Sequence, residues 1–118
     1  MISLFHKENI NATESIIKLL FEGKDLLERT KSKTMSQKMA NFAKRDKNLY
    51  ILHRDKLSEH INVVPELRNE IKYFDRIIED YERIEHCLER QSSNYDLYIR
   101  DIYETLQVLA EYYEKVDK

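Results

Sequence analysis

The sequence predicts an all-α, up-and-down bundle of four helices, and three observations carry that reading. First, stepping alternately three and four residues from Phe74 lands on Ile77, Tyr81, Ile84, Leu88, Gln91, Tyr95, Tyr98, Ile102, Thr105, Leu109, Tyr112 and Val116. Of these thirteen positions only Gln91 and Thr105 are polar, and apolar residues at this interval share one face only on a helix. A second row, Ile71, Ile78, Ile99, Leu106 and Tyr113, widens the stripe beyond a two-stranded seam, as a bundle helix requires. Second, one Gly, one Pro and 36% charged residues in 118 suit long amphipathic helices in a single domain. Third, polar or proline-bearing stretches interrupt the helical pattern at three places.

The first helix is expected to start at Asn11, with Glu14 completing a capping-box pair. Ile16, Leu20, Gly23 and Leu27 form its expected buried line, with Ile17, Leu19 and Leu26 beside it and Ile2 and Phe5 adding an upstream turn. Gly23 within that line points to a close helix approach. Thr30 to Thr34 is the first break, and Thr34 or Ser36 is the expected cap of the second helix. That helix carries the weakest stripe: Met39, Ala43, Asp46, Tyr50, His53, Leu57, His60 and Val64, with Phe42, Leu49 and Ile61 alongside. One edge of it is expected to face water.

Asn62 to Glu66 is the second break, with Asn62 as cap and Pro65 just inside the third helix, where proline is tolerated. The third helix then runs to about Arg90. At Gln91-Ser92-Ser93-Asn94 local and global signals diverge: the composition is that of a turn, and Ser93 with Asp96 makes a capping-box pattern, yet the seam passes through in register. A stop here gives four helices. Continuation gives the alternative, three helices with a long C-terminal helix of about 75 Å that forms a coiled-coil-like dimer.

Charge is unevenly spread. Residues 24–58 hold ten Lys/Arg against four Asp/Glu, whereas residues 59–118 hold eight against fifteen. The expected cause is a basic helix packed beside an acidic one. Lys31, Lys33, Lys38, Lys44, Arg45 and Lys47 have the charge to track phosphates or an anionic membrane surface. They lack the interleaved aromatics that stack bases, so proteins rather than nucleic acid are the expected partners. Met1 to Phe5 is too brief for a signal-peptide core, no segment approaches a membrane span, and the single Cys87 fits a reducing compartment; a cytoplasmic location is expected.

Asp46, His53 and His60 share a heptad line, but heptad neighbours stand about 10 Å apart along a helix, too far to ligate one ion. No metal site or cofactor is expected. Glu79-x-x-Glu82 with Glu114-x-x-Asp117 resembles the magnesium-binding carboxylate pairs of all-α nucleotide pyrophosphohydrolases. Solvated helix faces produce the same spacing in so acidic a segment. Arg54-Asp55 followed by His60 is similar to the loose Arg-x(4–6)-His pattern of the higher-eukaryote-and-prokaryote nucleotide-binding (HEPN) ribonucleases, which are small, commonly dimeric helical bundles. The likeness covers two or three residues of 118 and falls on the second helix. It implies an RNA-cleaving bundle with His60 in acid–base cleavage and Arg54 on the phosphate.

Seven of the eight tyrosines lie after residue 72. Tyr73, Tyr103 and Tyr113 fall at or beyond the stripe's edge, where an amphipathic ring suits a protein interface. The leading expectation is therefore a non-enzymatic bundle that binds a protein, or a second copy of itself, through the tyrosine-bearing face of its last two helices. Glu79, Asp80, Glu104 and Glu111 are the expected acidic flank that supplies specificity.

Overall fold

The first amphipathic stripe extends upstream of its expected cap, because Ile10 joins it. In this computed structural model, which describes residues 3–116 (side chains 7–115), α1 spans Ser3–Thr30. Asn11 lies inside the helix, exposed, and caps nothing. Nearby hydroxyls fold back onto the preceding turn, Ser15 donating to the Asn11 carbonyl at 3.1 Å and Thr13 Oγ1 lying 3.0 Å from that of Asn9. Ile10, Thr13, Ile17, Leu20 and Leu27 are buried, so the buried line is rotated from the expected one and leaves Leu19 and Leu26 exposed. Ile2, Asp117 and the side chains of Phe5 and Val116 lie outside the described residues.

Lys31 ends α1 in the left-handed region, φ 48°, and returns its N–H to the Leu27 carbonyl at 2.8 Å. Ser32 then caps α2, Lys33–Glu59, its hydroxyl accepting from the Met35 N–H at 3.2 Å. Neither Thr34 nor Ser36 is the cap: Ser36 is buried and donates to the Leu88 carbonyl. Met39, Ala43, Asp46 and Tyr50 are buried as the stripe required, and the opposite edge of α2 is exposed. A Cβ on Gly23 would stand 3.0 Å from the Met39 methyl carbon, so α1 and α2 do approach closely there.

His60 to Glu66 form turns rather than helix, and Pro65 precedes α3, Leu67–Glu89, instead of lying within it. Asn62 is not the cap. The His60 carbonyl accepts from Val63 and Val64, which keeps the chain turning until the Pro65 carbonyl receives the Arg68 N–H. At the other end α3 stops. Gln91 adopts φ 55°, its N–H returns to Leu88 O and that of Ser92 to Cys87 O, both at 2.9 Å. These two bonds make a Schellman cap, with a side-chain-bearing residue where glycine is usual. The left-handed conformation costs such a residue roughly 1–2 kcal/mol. The Gln91 side chain offsets part of this by donating to the Lys31 carbonyl at 3.2 Å, which joins the two turns at one end of the bundle.

α4, Asp96–Val116, returns along α3. The chain is thus an all-α four-helix bundle: each helix packs on its sequence neighbours, and α1 closes the ring on α4. The long axis measures 50 Å. Phe74, Ile77, Tyr81, Ile84, Leu88, Tyr95, Ile102 and Leu109, all seam positions, meet Leu20, Leu27, Met39 and Tyr50 in one core. Tyr50 sets its ring edge-on to Phe74 with centroids 5.3 Å apart.

Candidate functional site

Three polar groupings are built into the helix contacts. Asp46, 3% exposed, accepts at Oδ2 from the Tyr81 hydroxyl (2.5 Å) and from Thr13 Oγ1 (2.7 Å), and Tyr50 Oη lies 2.7 Å from the same Thr13 oxygen. Burial pushes the Asp46 carboxyl up, and the bonds from Tyr81 and Thr13 pull it back. This knot ties α1, α2 and α3 together at mid-bundle, so Asp46 is a structural acid and not part of a ligand line with His53 and His60. Glu70, also buried, faces the Tyr113 hydroxyl; burial raises the Glu70 carboxyl against that hydrogen bond.

The third grouping is Asp80 on α3 with Asp101 on α4. Asp80 is 2% exposed. Burial, followed by the hydrogen bond and charge of Asp101, raises its carboxyl to about 8. Asp101 is lowered in turn by that bond and by Arg76, which grips it through Nε (3.0 Å) and Nη2 (2.6 Å). At neutral pH the pair therefore holds one proton. Asp80 was expected on an exposed acidic flank; the α3–α4 contact places it inside. Glu79, Glu104 and Glu111 are exposed as expected.

The tyrosines do not share one face. Tyr113 is 4% exposed and belongs to the core, because the second apolar row continues to it. Tyr73 is half-buried beside Tyr112 on the α3 side of α4. Tyr103, 51% exposed, precedes Tyr112 by nine residues, which at about 100° per residue is the opposite side of the helix.

On that opposite side lies an open groove of about 460 Å³ between α1 and α4. Ile17 and Ile99 form its floor; Phe21, 61% exposed, and Tyr103 stand at its edges. Glu14, Lys18, Asp96 and Arg100 complete the lining. Asp96 is taken by Lys24 at 2.6 Å, whereas Lys18 and Arg100 form no ion pair among the described residues. Phe21 is the residue that sequence reading missed. Its signal was an aromatic one step past Leu20, off the buried line yet four residues after Ile17 and so on the same helix edge.

The remaining candidates are dispersed. Arg54 is held by Asp75 (3.0 Å) and Asp55 (3.3 Å), and no hydrogen bond joins it to His60, an exposed residue at the C-cap of α2. Glu79, Glu82 and Glu114 are exposed, and Asp117 lies outside the described residues. Lys31, Lys33, Lys38, Lys44 and Arg45 are exposed, whereas Lys47 is half-buried against Glu85 at 2.6 Å. Lys47–Glu85 and Arg54–Asp75 both tie basic α2 to acidic α3. Among the described residues no helix is long and apolar enough to cross a membrane. Comparison of the chain with protein-family models, curated proteins and solved structures returns no match.

Proposed function

We propose that the protein is a non-enzymatic docking module whose α1–α4 groove receives an amphipathic helix of a protein partner. The observation that carries this is the exposed aromatic pair, Phe21 and Tyr103, flanking the apolar floor of Ile17 and Ile99. Covering such rings supplies about 1.5–3 kcal/mol per side chain, the usual source of interface hot spots. With Asp96 taken by Lys24, Lys18 and Arg100 outnumber the one remaining lining carboxylate, Glu14, and so select a partner with apolar anchors three or four residues apart and acidic side chains set against those two cations. Relative to the expected tyrosine face, Tyr103 is kept, Tyr113 is replaced by Phe21, and Glu104 and Glu111 are exposed on α4 outside the groove lining. The free Cys87 supports placing the module in the reducing cytoplasm.

The ribonuclease reading gains nothing from the geometry, because carboxylates already occupy the Arg54 guanidinium.

A displayed library of amphipathic helices tests the docking proposal without a known partner. Selected helices should be acidic beside their apolar anchors, shift the NMR signals of Ile17, Phe21, Ile99 and Tyr103, and lose at least tenfold in affinity on Phe21→Ala with Tyr103→Ala. Binders that map to another surface, or survive that double substitution, overturn it.

A further inference from the structure

The register of the seam crosses the α3–α4 turn unbroken: Leu88 leads to Gln91, then Tyr95 and Tyr98. Joined as one helix, α3 and α4 would thus carry Phe74, Ile77, Tyr81, Ile84 and Leu88 on the same side as Tyr95, Ile102 and Leu109. A connection that served only to close a hairpin would have no need to keep that phase. Three contacts between the two helices are also symmetric about the turn, as an antiparallel hairpin allows, while Arg76–Asp101 lies off that register. Asp80 meets Asp101, Arg83 lies over the Tyr98 ring at 5.8 Å, and Cys87 Sγ reaches the Asn94 carbonyl at 3.6 Å. Each of these pairs is equidistant from the Arg90–Gln91 bond. A two-fold axis through that bond would therefore remake every one of them between two antiparallel copies of the joined helix. The hinge is strained in the closed form, with Gln91 left-handed at φ 55°.

We propose that two copies of the chain exchange α4. Gln91 straightens, residues 67–116 become one helix of about 75 Å, and α4 of each copy fills the vacated place in its partner's bundle. The Lys24–Asp96 and Arg76–Asp101 pairs and the Tyr95 bond to the Leu20 carbonyl re-form between chains. Each groove then takes Ile17, Lys18 and Phe21 from one copy and Ile99, Arg100 and Tyr103 from its partner. The dimer presents two grooves at a set separation, so a partner with two anchor helices gains avidity. That gain rests on the docking proposal; the exchange itself does not.

The test uses the full chain, refolded from denaturant at a series of concentrations and followed by light scattering. Gln91→Leu completes the apolar seam and should raise the dimer fraction. Gln91→Gly relaxes the turn in both chains and should lower the dimerisation constant about 30-fold. In a Cys87→Ser background, Asp80→Cys with Asp101→Cys should form a disulfide within the chain in the monomer fraction and between chains in the dimer fraction. Two outcomes overturn the exchange: wild type and Gln91→Leu that both stay monomeric up to millimolar concentration, or a dimer whose disulfides lie within chains. No peptide ligand enters either readout, so a failed groove and a failed exchange are told apart.

Discussion

Replacing Asp80 by Asn should make the protein more stable, by little near pH 4 and by progressively more as pH rises to 8. In the native state the Asp80 carboxyl is raised from 3.8 to about 8 by burial and by Asp101, so between those pH values the folded chain holds a proton that the unfolded chain has released. Stability is therefore greatest below pH 4 as far as this group is concerned, declines as pH rises, and stops declining above pH 8. Four units at about 1.36 kcal/mol each set a ceiling of roughly 6 kcal/mol. Asp101 shifts in the opposite sense, being lowered by Asp80 and Arg76, and returns part of that loss. A net penalty of about 2–4 kcal/mol at pH 9 is the working figure. Asn keeps the shape and the donor toward Asp101 but cannot ionise. Urea unfolding from pH 4 to 9 should give a falling midpoint for wild type and a flat one for Asp80→Asn, the gap between them widening steadily from pH 4 to about 8 and then holding constant. Parallel curves would refute the shared-proton account. Asp101→Asn offers the control: it removes one of the two oxygens that accept from Arg76 and the charge that opposes Asp80 ionisation, so the alkaline decline should shrink while stability at pH 5 falls.

Tyr81→Phe removes the hydroxyl that donates to Asp46, leaves a buried carboxylate short of a partner, and should cost about 1–3 kcal/mol in urea unfolding with no change in far-ultraviolet dichroism. Ser32→Ala deletes the cap of α2 and should cost about 1 kcal/mol, a fall of roughly 4 °C in Tm by calorimetry. Lys31→Gly relieves a left-handed residue whose carbonyl still receives Gln91, and should stabilise by about 1 kcal/mol in the same assay. Phe21→Ala, a change at an exposed ring, should move Tm by less than about 2 °C, which would leave any loss of binding attributable to the groove.

The helices were legible where one physical signal dominated. From Phe74 to Tyr113 the apolar spacing names most of the buried residues of α3 and α4, because a long amphipathic helix has only one side to hide. Helix ends were less legible, since Asn11, Thr34, Ser36 and Asn62 offer capping chemistry as good as that of Ser32. Which hydroxyl caps is decided by tertiary contacts: Ser36 is drawn inward to the Leu88 carbonyl, and Ile10 extends α1 past Asn11. Asp80 misled for a related reason. An acid at the edge of a stripe reads as solvated, and only the facing helix shows that Asp101 and Arg76 enclose it. The interface residues failed by geometry. Tyr103 and Tyr113 look equivalent as edge tyrosines, but ten residues of helix turn them about 80° apart, enough to send one into the core.

The groove follows from the same rotation of α1 that sequence reading missed. Had the buried line centred on Ile16, Leu20 and Gly23 as expected, Ile17 would lie at the edge of the stripe and Phe21 would be turned further from α4. Thr13 instead enters the polar knot with Asp46 and Tyr50, and Lys24 reaches Asp96. These two anchors, eleven residues apart and so on one helix edge, set the roll of α1. That roll presses Ile17 against Ile99 and leaves Phe21 opposite Tyr103. Thr13→Val should therefore act at a distance. It breaks the knot, frees the roll of α1, and weakens the binding of groove-selected helices, although Thr13 is not itself part of the groove lining. Unchanged affinity in a folded Thr13→Val variant would show that α1 keeps its orientation without the knot, and that apolar contacts alone shape the groove.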